Sequence, residues 1–203
     1  MKFFTSWLLV IAVLFAATAE ARQTVNGCLI KRKASCPGVD LSGKDLTRSN
    51  LAGADLAGAN LSGANLSADK ITEANLIKAN LSNANLSATN LSESYMTNAN
   101  LSRANLTKAN LSQSTMTNAN LREANLTGAN FSMASLDGAD LTGANAKGAI
   151  LAMTSLNKAN LTGVDFTEAT LMGADLRNAI LTDAKFCKTT MPDRSVNNSG
   201  CGK

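Results

Sequence analysis

Leucine recurs at every fifth residue through most of this chain, as in "ANLSRANLTKANL" from Ala99 to Leu111. That spacing suits neither regular element. Each helical residue advances by about 100°, so leucines five apart lie about 140° from one another and smear around every face. On a strand, side chains alternate with a period of two. An odd spacing therefore sends successive leucines to opposite faces. A chain that buries them all must run a short extended piece, turn a corner and repeat. Its walls are then short strands paired with the turns of chain above and below.

The register holds from Leu41 to Phe186 without a slip, thirty repeats in all. Leucine fills 23 of the central places, and Ile71, Met96, Met116, Phe131, Ala146, Phe166 and Phe186 fill the others, so every central place is apolar. Alanine stands two residues earlier in 21 repeats, and Asn or Asp stands between in 21, which gives the motif A-(N/D)-L-x-x. Ser or Thr is frequent in the fourth place and Gly in the fifth. Such strict phasing of apolar residues separates the chain from a low-complexity disordered tract.

The motif resembles that of the pentapeptide-repeat family over residues 39–188. The resemblance implies an all-β fold, a right-handed quadrilateral β-helix in which four pentapeptides make one coil. The sequence carries its own trace of a twenty-residue coil. Ser92–Leu111 is followed directly by Ser112–Phe131, and a Ser-x-Met group recurs, which puts Met96 beneath Met116. Ala146 leaves room on its side, where Phe166 and Phe186 lie one and two coils above. Small beside large is how a core fills. Thirty repeats make about 7.5 coils of twenty residues, a rod roughly 36 Å long at strand spacing. Asparagines stacked along it are expected to form amide ladders.

The first 21 residues are different in kind. Lys2 precedes the apolar run Trp7–Ala17, and Ala19-Glu20-Ala21 offers a small-x-small cleavage site. This is the pattern of a secretory signal peptide, and the run is shorter than the ~20 residues of a membrane span. The expected organisation is a signal peptide at 1–21, an N-terminal cap at 22–38, repeats at 39–188 and a C-terminal cap at 189–203. The expected location is secreted or periplasmic.

Two cysteine pairs flank the repeats, Cys28 with Cys36 and Cys187 with Cys201. A disulfide needs Cα atoms within about 7 Å, while the ends of the rod stand roughly 36 Å apart at the coil spacing. The expected bonds are therefore Cys28–Cys36 and Cys187–Cys201, which an exported protein can form. No His is present and no C-x-x-C spacing occurs, so no metal site or cofactor is expected.

No catalytic constellation appears. Histidine, the commonest general base, is missing, and Glu73, Glu93, Glu123 and Glu168 all occupy the solvent-facing fifth place. The expectation is a non-enzymatic structural or protein-interaction scaffold. Some members of the family mimic DNA and protect gyrase. That role requires an acidic surface and cytoplasmic residence, whereas this chain carries +4 and an export signal. Nucleic acid is not an expected partner either. Lys31-Arg32-Lys33 falls in the first cap, and Tyr95 is the one aromatic expected at the surface after cleavage, so stacking platforms are missing.

Folding the sequence at twenty residues per coil brings Met133, Ile150, Met153 and Met172 to the outside of the side that contains Leu111, Phe131, Leu151 and Leu171. These four are the candidate patch for a protein partner or for self-association. The alternative is a surface-binding or adhesive module for ice, glycan or membrane; the candidate for ordering water or ice is the column Ser42, Ser62, Ser82, Ser102, Thr142, Thr162 and Thr182, broken by Arg122.

Overall fold

The computed structural model describes residues 24–202. The expected signal peptide, residues 1–21, lies outside the described residues. Through the repeats, parallel bridges join residues twenty apart, from Ser35 with Asp55 to Thr170 with Thr190. The bridging residue is the one before each central residue, the Asn/Asp place. Hydrogen bonds run both ways between coils. Leu41 donates its N–H to the Asn60 carbonyl at 2.7 Å, and Asn60 donates its own to the Val39 carbonyl at 2.9 Å.

The corner is a β-turn that starts at the central residue. Ala104 N–H donates to the Leu101 carbonyl at 3.1 Å, and Arg103 between them has φ 57°. A left-handed third residue defines a type II turn, which favours glycine. The same place takes Gly43 at φ 61° and Gly63 at φ 64°, which is why glycine is frequent fifth in the motif. A turn this often leaves about one bridging residue per side. The walls are thus single bridges rather than the short strands expected. Among the described residues the two-residue strands lie at the ends: β1 (Thr24–Val25), β2 (Cys28–Leu29), β3 (Thr189–Thr190) and β4 (Val196–Asn197). β1 pairs with β2 and β3 with β4, both antiparallel.

From Leu41 to Leu171 the central residues form one buried column, with the alanines closing its corners. Where a buried Ser or Thr replaces alanine, its hydroxyl donates to a main-chain carbonyl. Ser94 reaches Leu91, Ser114 reaches Leu111 and Thr154 reaches Phe131, all within 2.6–2.8 Å. Such pairing removes the penalty of burying a polar group. Outside the wall, amides stack in file. Asn60 donates to Asp40, Asn80 to Asn60, Asn100 to Asn80 and Asn120 to Asn100, at 3.0–3.3 Å.

One side departs from this plan. Asp69 stands at an alanine place and is buried. Its carboxylate accepts from the Ser49 hydroxyl, from Asn50 N–H at 2.9 Å and from Lys70 N–H at 2.7 Å. The bridge that would join Asn50 to Lys70 is missing, and Asn50 takes a left-handed φ of 49°. A side-chain carboxylate takes the place of the main-chain ladder at this point.

The bridges run past both expected repeat boundaries, since Ser35 precedes residue 39 and Thr190 follows 188. Cys36 stands in the central register and is bonded to Cys28, so the β1–β2 hairpin is tied onto the first coil. Val25, Cys28 and Ile30 are buried there, and Leu41, Leu46 and Leu51 are wholly covered. The far end is closed less completely. Cys187 is bonded to Cys201, and Gly200 donates its N–H to the Phe186 carbonyl at 2.7 Å. A Cβ on Gly200 would stand 2.8 Å from the Phe186 nitrogen, so the tail seats here because residue 200 has no side chain. Ile180 and Leu181 of the same coil stay exposed.

Candidate interaction surface

The turn chemistry decides which side chains project furthest. A residue in the left-handed third place of a type II turn points out from a corner. Met133 (φ 58°) and Met153 (φ 57°) occupy this place in consecutive coils. They are 55% and 66% exposed, whereas the axial Met96 and Met116 are 0% exposed. Among the described residues, every other side chain larger than alanine at this place carries a charge or an amide. Non-glycine residues are uncommon at positive φ, so the backbone gives no reason to choose methionine here.

The two methionines are stacked by the ladder itself. Met133 N–H donates to the Ala152 carbonyl at 3.0 Å, and Met153 N–H to the Met172 carbonyl at 2.9 Å. Above Met153 the place is Gly173, whose missing Cβ would lie 3.6 Å from Met153 Cγ. Met172, just before that glycine, is exposed as well. Ile150 bridges Asn130 below and Thr170 above. It ends the amide file in which Asn130 donates to Asn110 and Asn110 to Asn90, and its side chain is exposed. All four predicted patch residues are therefore outward on one side of the rod. The exposed Tyr95 and Ile77 lie on the next side, and Ile180 with Leu181 at the open end. Sequence reasoning passed over that end, although Ile180 replaces the usual asparagine just as Ile150 does.

Three ion pairs join consecutive coils on the other sides. Arg103 meets Glu123 at 2.8 Å, Arg122 meets Asp140 at 3.0 Å and Lys147 meets Asp165 at 3.4 Å. Exposed pairs of this kind add little stability. Asp175 accepts from the Arg177 guanidinium and backbone, which pulls its carboxyl down to about 2. The hydroxyl and N–H of Ser42 likewise hold Asp40 below the usual carboxylate range. Both shifts follow from hydrogen bonds to the charged form.

The serine–threonine column is partly occupied with its own strand. Ser62 donates to Asn60, Thr142 to Asp140 and Thr162 to Asn160, at 2.5–2.8 Å. Those donors are taken, which weakens the column as a surface for ordering water. Among the described residues no three His, Cys, Asp or Glu side chains converge on a metal-sized site, and no cysteine is free. No described helix is long and apolar enough to cross a membrane.

Comparison with known proteins follows the same repeat. The family described as pentapeptide repeats matches in eight copies, over residues 32–67, 71–107, 104–143, 139–178 and 154–191. Among curated proteins, none matches. Among solved structures, the chain is similar to HetL, a pentapeptide repeat protein involved in heterocyst differentiation regulation in Nostoc sp. strain PCC 7120. Identity is 28% over 91% of this chain and 98% of that one, with a TM-score of 0.36. It is similar to a pentapeptide repeat protein of the Arabidopsis thaliana thylakoid lumen at 37% identity, over 49% of this chain and 70% of that one, TM-score 0.48. Full-length QnrB1, a plasmid-mediated fluoroquinolone resistance protein, is 19% identical over 82% of this chain and 92% of its own, TM-score 0.37.

Proposed function

This chain belongs to the pentapeptide-repeat family, and from that premise we propose that it is an exported, non-enzymatic scaffold that docks a protein partner along Met133, Ile150, Met153 and Met172. Membership brings the right-handed β-helix solenoid. The finer shape in this reading is a four-sided coil of twenty residues, about 7.5 of them at strand spacing, and the twenty-residue bridges support it. Export rests on the apolar leader of residues 1–21 and is consistent with the two disulfides.

The observation that carries the docking role is the pair of exposed methionines at left-handed turn places, adjacent to Met172 and Ile150. Methionine is flexible and polarizable, and it adapts to the shape of an apolar partner. A rigid rod supplies the other half of the function, because a strip held by ladder hydrogen bonds need not be ordered on binding.

The test is crosslinking and capture with the exported protein, comparing the wild type with Met133→Ser/Met153→Ser. Both substitutions sit on the surface, so folding is preserved. The expected result is a protein captured by the wild type and held about tenfold or more weakly by the variant, the loss that follows from burying less methionine surface. Glu93→Gln, lower on the same column, should leave capture unchanged. A shift from dimer to monomer in the Ser variant would instead identify the occupant as a second copy. Equal capture and equal mass for both forms would remove the proposal.

A further inference from the structure

We propose that Met133 and Met153 are a peroxide-oxidisable site, and that their conversion to sulfoxide switches the strip from apolar to polar without unfolding the rod. The switching of docking rests on the strip being the docking surface; the oxidation does not.

The choice of residue points to this. Leucine is the default apolar side chain of this sequence, filling 23 of thirty central places. The outward strip contains no leucine, although leucine supplies comparable apolar surface. It carries three thioethers and one isoleucine. The internal pair Met96 and Met116 repeats the twenty-residue spacing of Met133 and Met153, but it is fully buried while the outer pair is more than half exposed. One molecule thus holds a protected and an unprotected pair at the same axial spacing. In the outer pair Gly173 leaves the upper side of Met153 without a Cβ.

The reactant is a hydroperoxide, with hydrogen peroxide the simplest. A lone pair on methionine Sδ attacks one peroxide oxygen. The S–O bond forms as the O–O bond breaks, sulfur loses two electrons, and the departing hydroxide takes the proton of the transferred oxygen to leave as water. The product is polar and chiral, and a sulfoxide reductase reverses the change. Neither sulfur supports the core, so the axial column and the ladder stay intact.

The experiment treats the folded, disulfide-bonded exported protein with hydrogen peroxide and maps each methionine by peptide mass spectrometry over time. Met133 and Met153 are expected to gain oxygen at least about tenfold faster than Met96 and Met116, with Met172 between, in line with control by exposure. The urea midpoint should not move. Similar rates for the inner and outer pairs, or loss of the folded signal as oxygen is added, would overturn the proposal. Capture of the partner supplies the second arm. Met133→Leu/Met153→Leu should bind as the wild type does and keep most of its capture after peroxide, Met172 being the thioether left in the strip, while Met133→Gln/Met153→Gln should bind weakly without it. A wild type that is fully oxidised at both residues yet captures as before would overturn the switch. If the Ser variant showed that the strip docks nothing, the switch would fall with it, and the rate comparison would still decide the oxidation site.

Discussion

Phe166→Ala is expected to lower the unfolding free energy by about 3–5 kcal/mol, the range for deleting a large buried aromatic side chain. Phe166 is fully buried, and the Phe186 ring stacks on it with centroids 5.6 Å apart and planes 11° from parallel. Below it stands Ala146, also fully buried. Removing the ring would place one small residue over another and strip a stacking partner from Phe186. The wall cannot collapse into the gap, because hydrogen bonds hold the coils apart on both sides. Ala146 N–H donates to the Asp165 carbonyl and Phe166 N–H to the Lys185 carbonyl, each at 2.9 Å. Adding Ala146→Leu to Phe166→Ala should recover part of the loss by refilling the column. The same Leu alone should cost about 1–3 kcal/mol by overpacking. Urea unfolding of the three variants measures this, and a Phe166→Ala loss below ~1 kcal/mol would mean that the column is not close-packed.

Asp69→Ala separates two ways of reading the repeat. By motif statistics alanine is the preferred residue at this place, and the substitution should help. By the hydrogen bonds it should hurt. The carboxylate satisfies the Ser49 hydroxyl and two main-chain N–H groups, of Asn50 and Lys70, beside a gap in the ladder. Leaving those part-buried donors without the carboxylate is expected to cost about 1–3 kcal/mol. Asp69→Asn keeps an acceptor and should lose less than Asp69→Ala. A rise in the urea midpoint of Asp69→Ala would show instead that the wall re-forms the regular bridge, and that the carboxylate distorts what it now supports.

The architecture was legible because its signal is a phase, repeated thirty times and tolerant of single exceptions. A lone leucine says little; one that must share an axis with the leucines five and twenty residues away says a great deal. The outward direction of Met133 and Met153 followed from the same counting. Three features were not legible. Glycine in the fifth place hinted at a turn, but charged and amide residues fill the same left-handed conformation at Arg103, Glu123 and Asn178, so composition alone did not identify it. Asp69 reads as one more exception in the alanine column. Its meaning depends on which donors face it across the coil, and that requires coordinates for Ser49 and Asn50. The open end at Ile180 and Leu181 depends on where the tail after Cys187 settles. The tail is not periodic, so the phase says nothing about it.

The central claim is that a twenty-residue turn of chain is the unit of this molecule, stacked on its neighbours through contacts that repeat along the axis. Its most direct test is a pair of excisions read by circular dichroism and urea unfolding. Removing residues 92–111 joins Leu91 to Ser112 and keeps both the five-residue phase and the twenty-residue stacking. This shortened rod should fold, form both disulfides and unfold cooperatively, with somewhat lower stability than the parent. Removing Arg103 alone shifts every later leucine out of the column and should leave one half of the molecule unfolded. A single deletion that folded as well as the loss of a whole coil would contradict the twenty-residue unit.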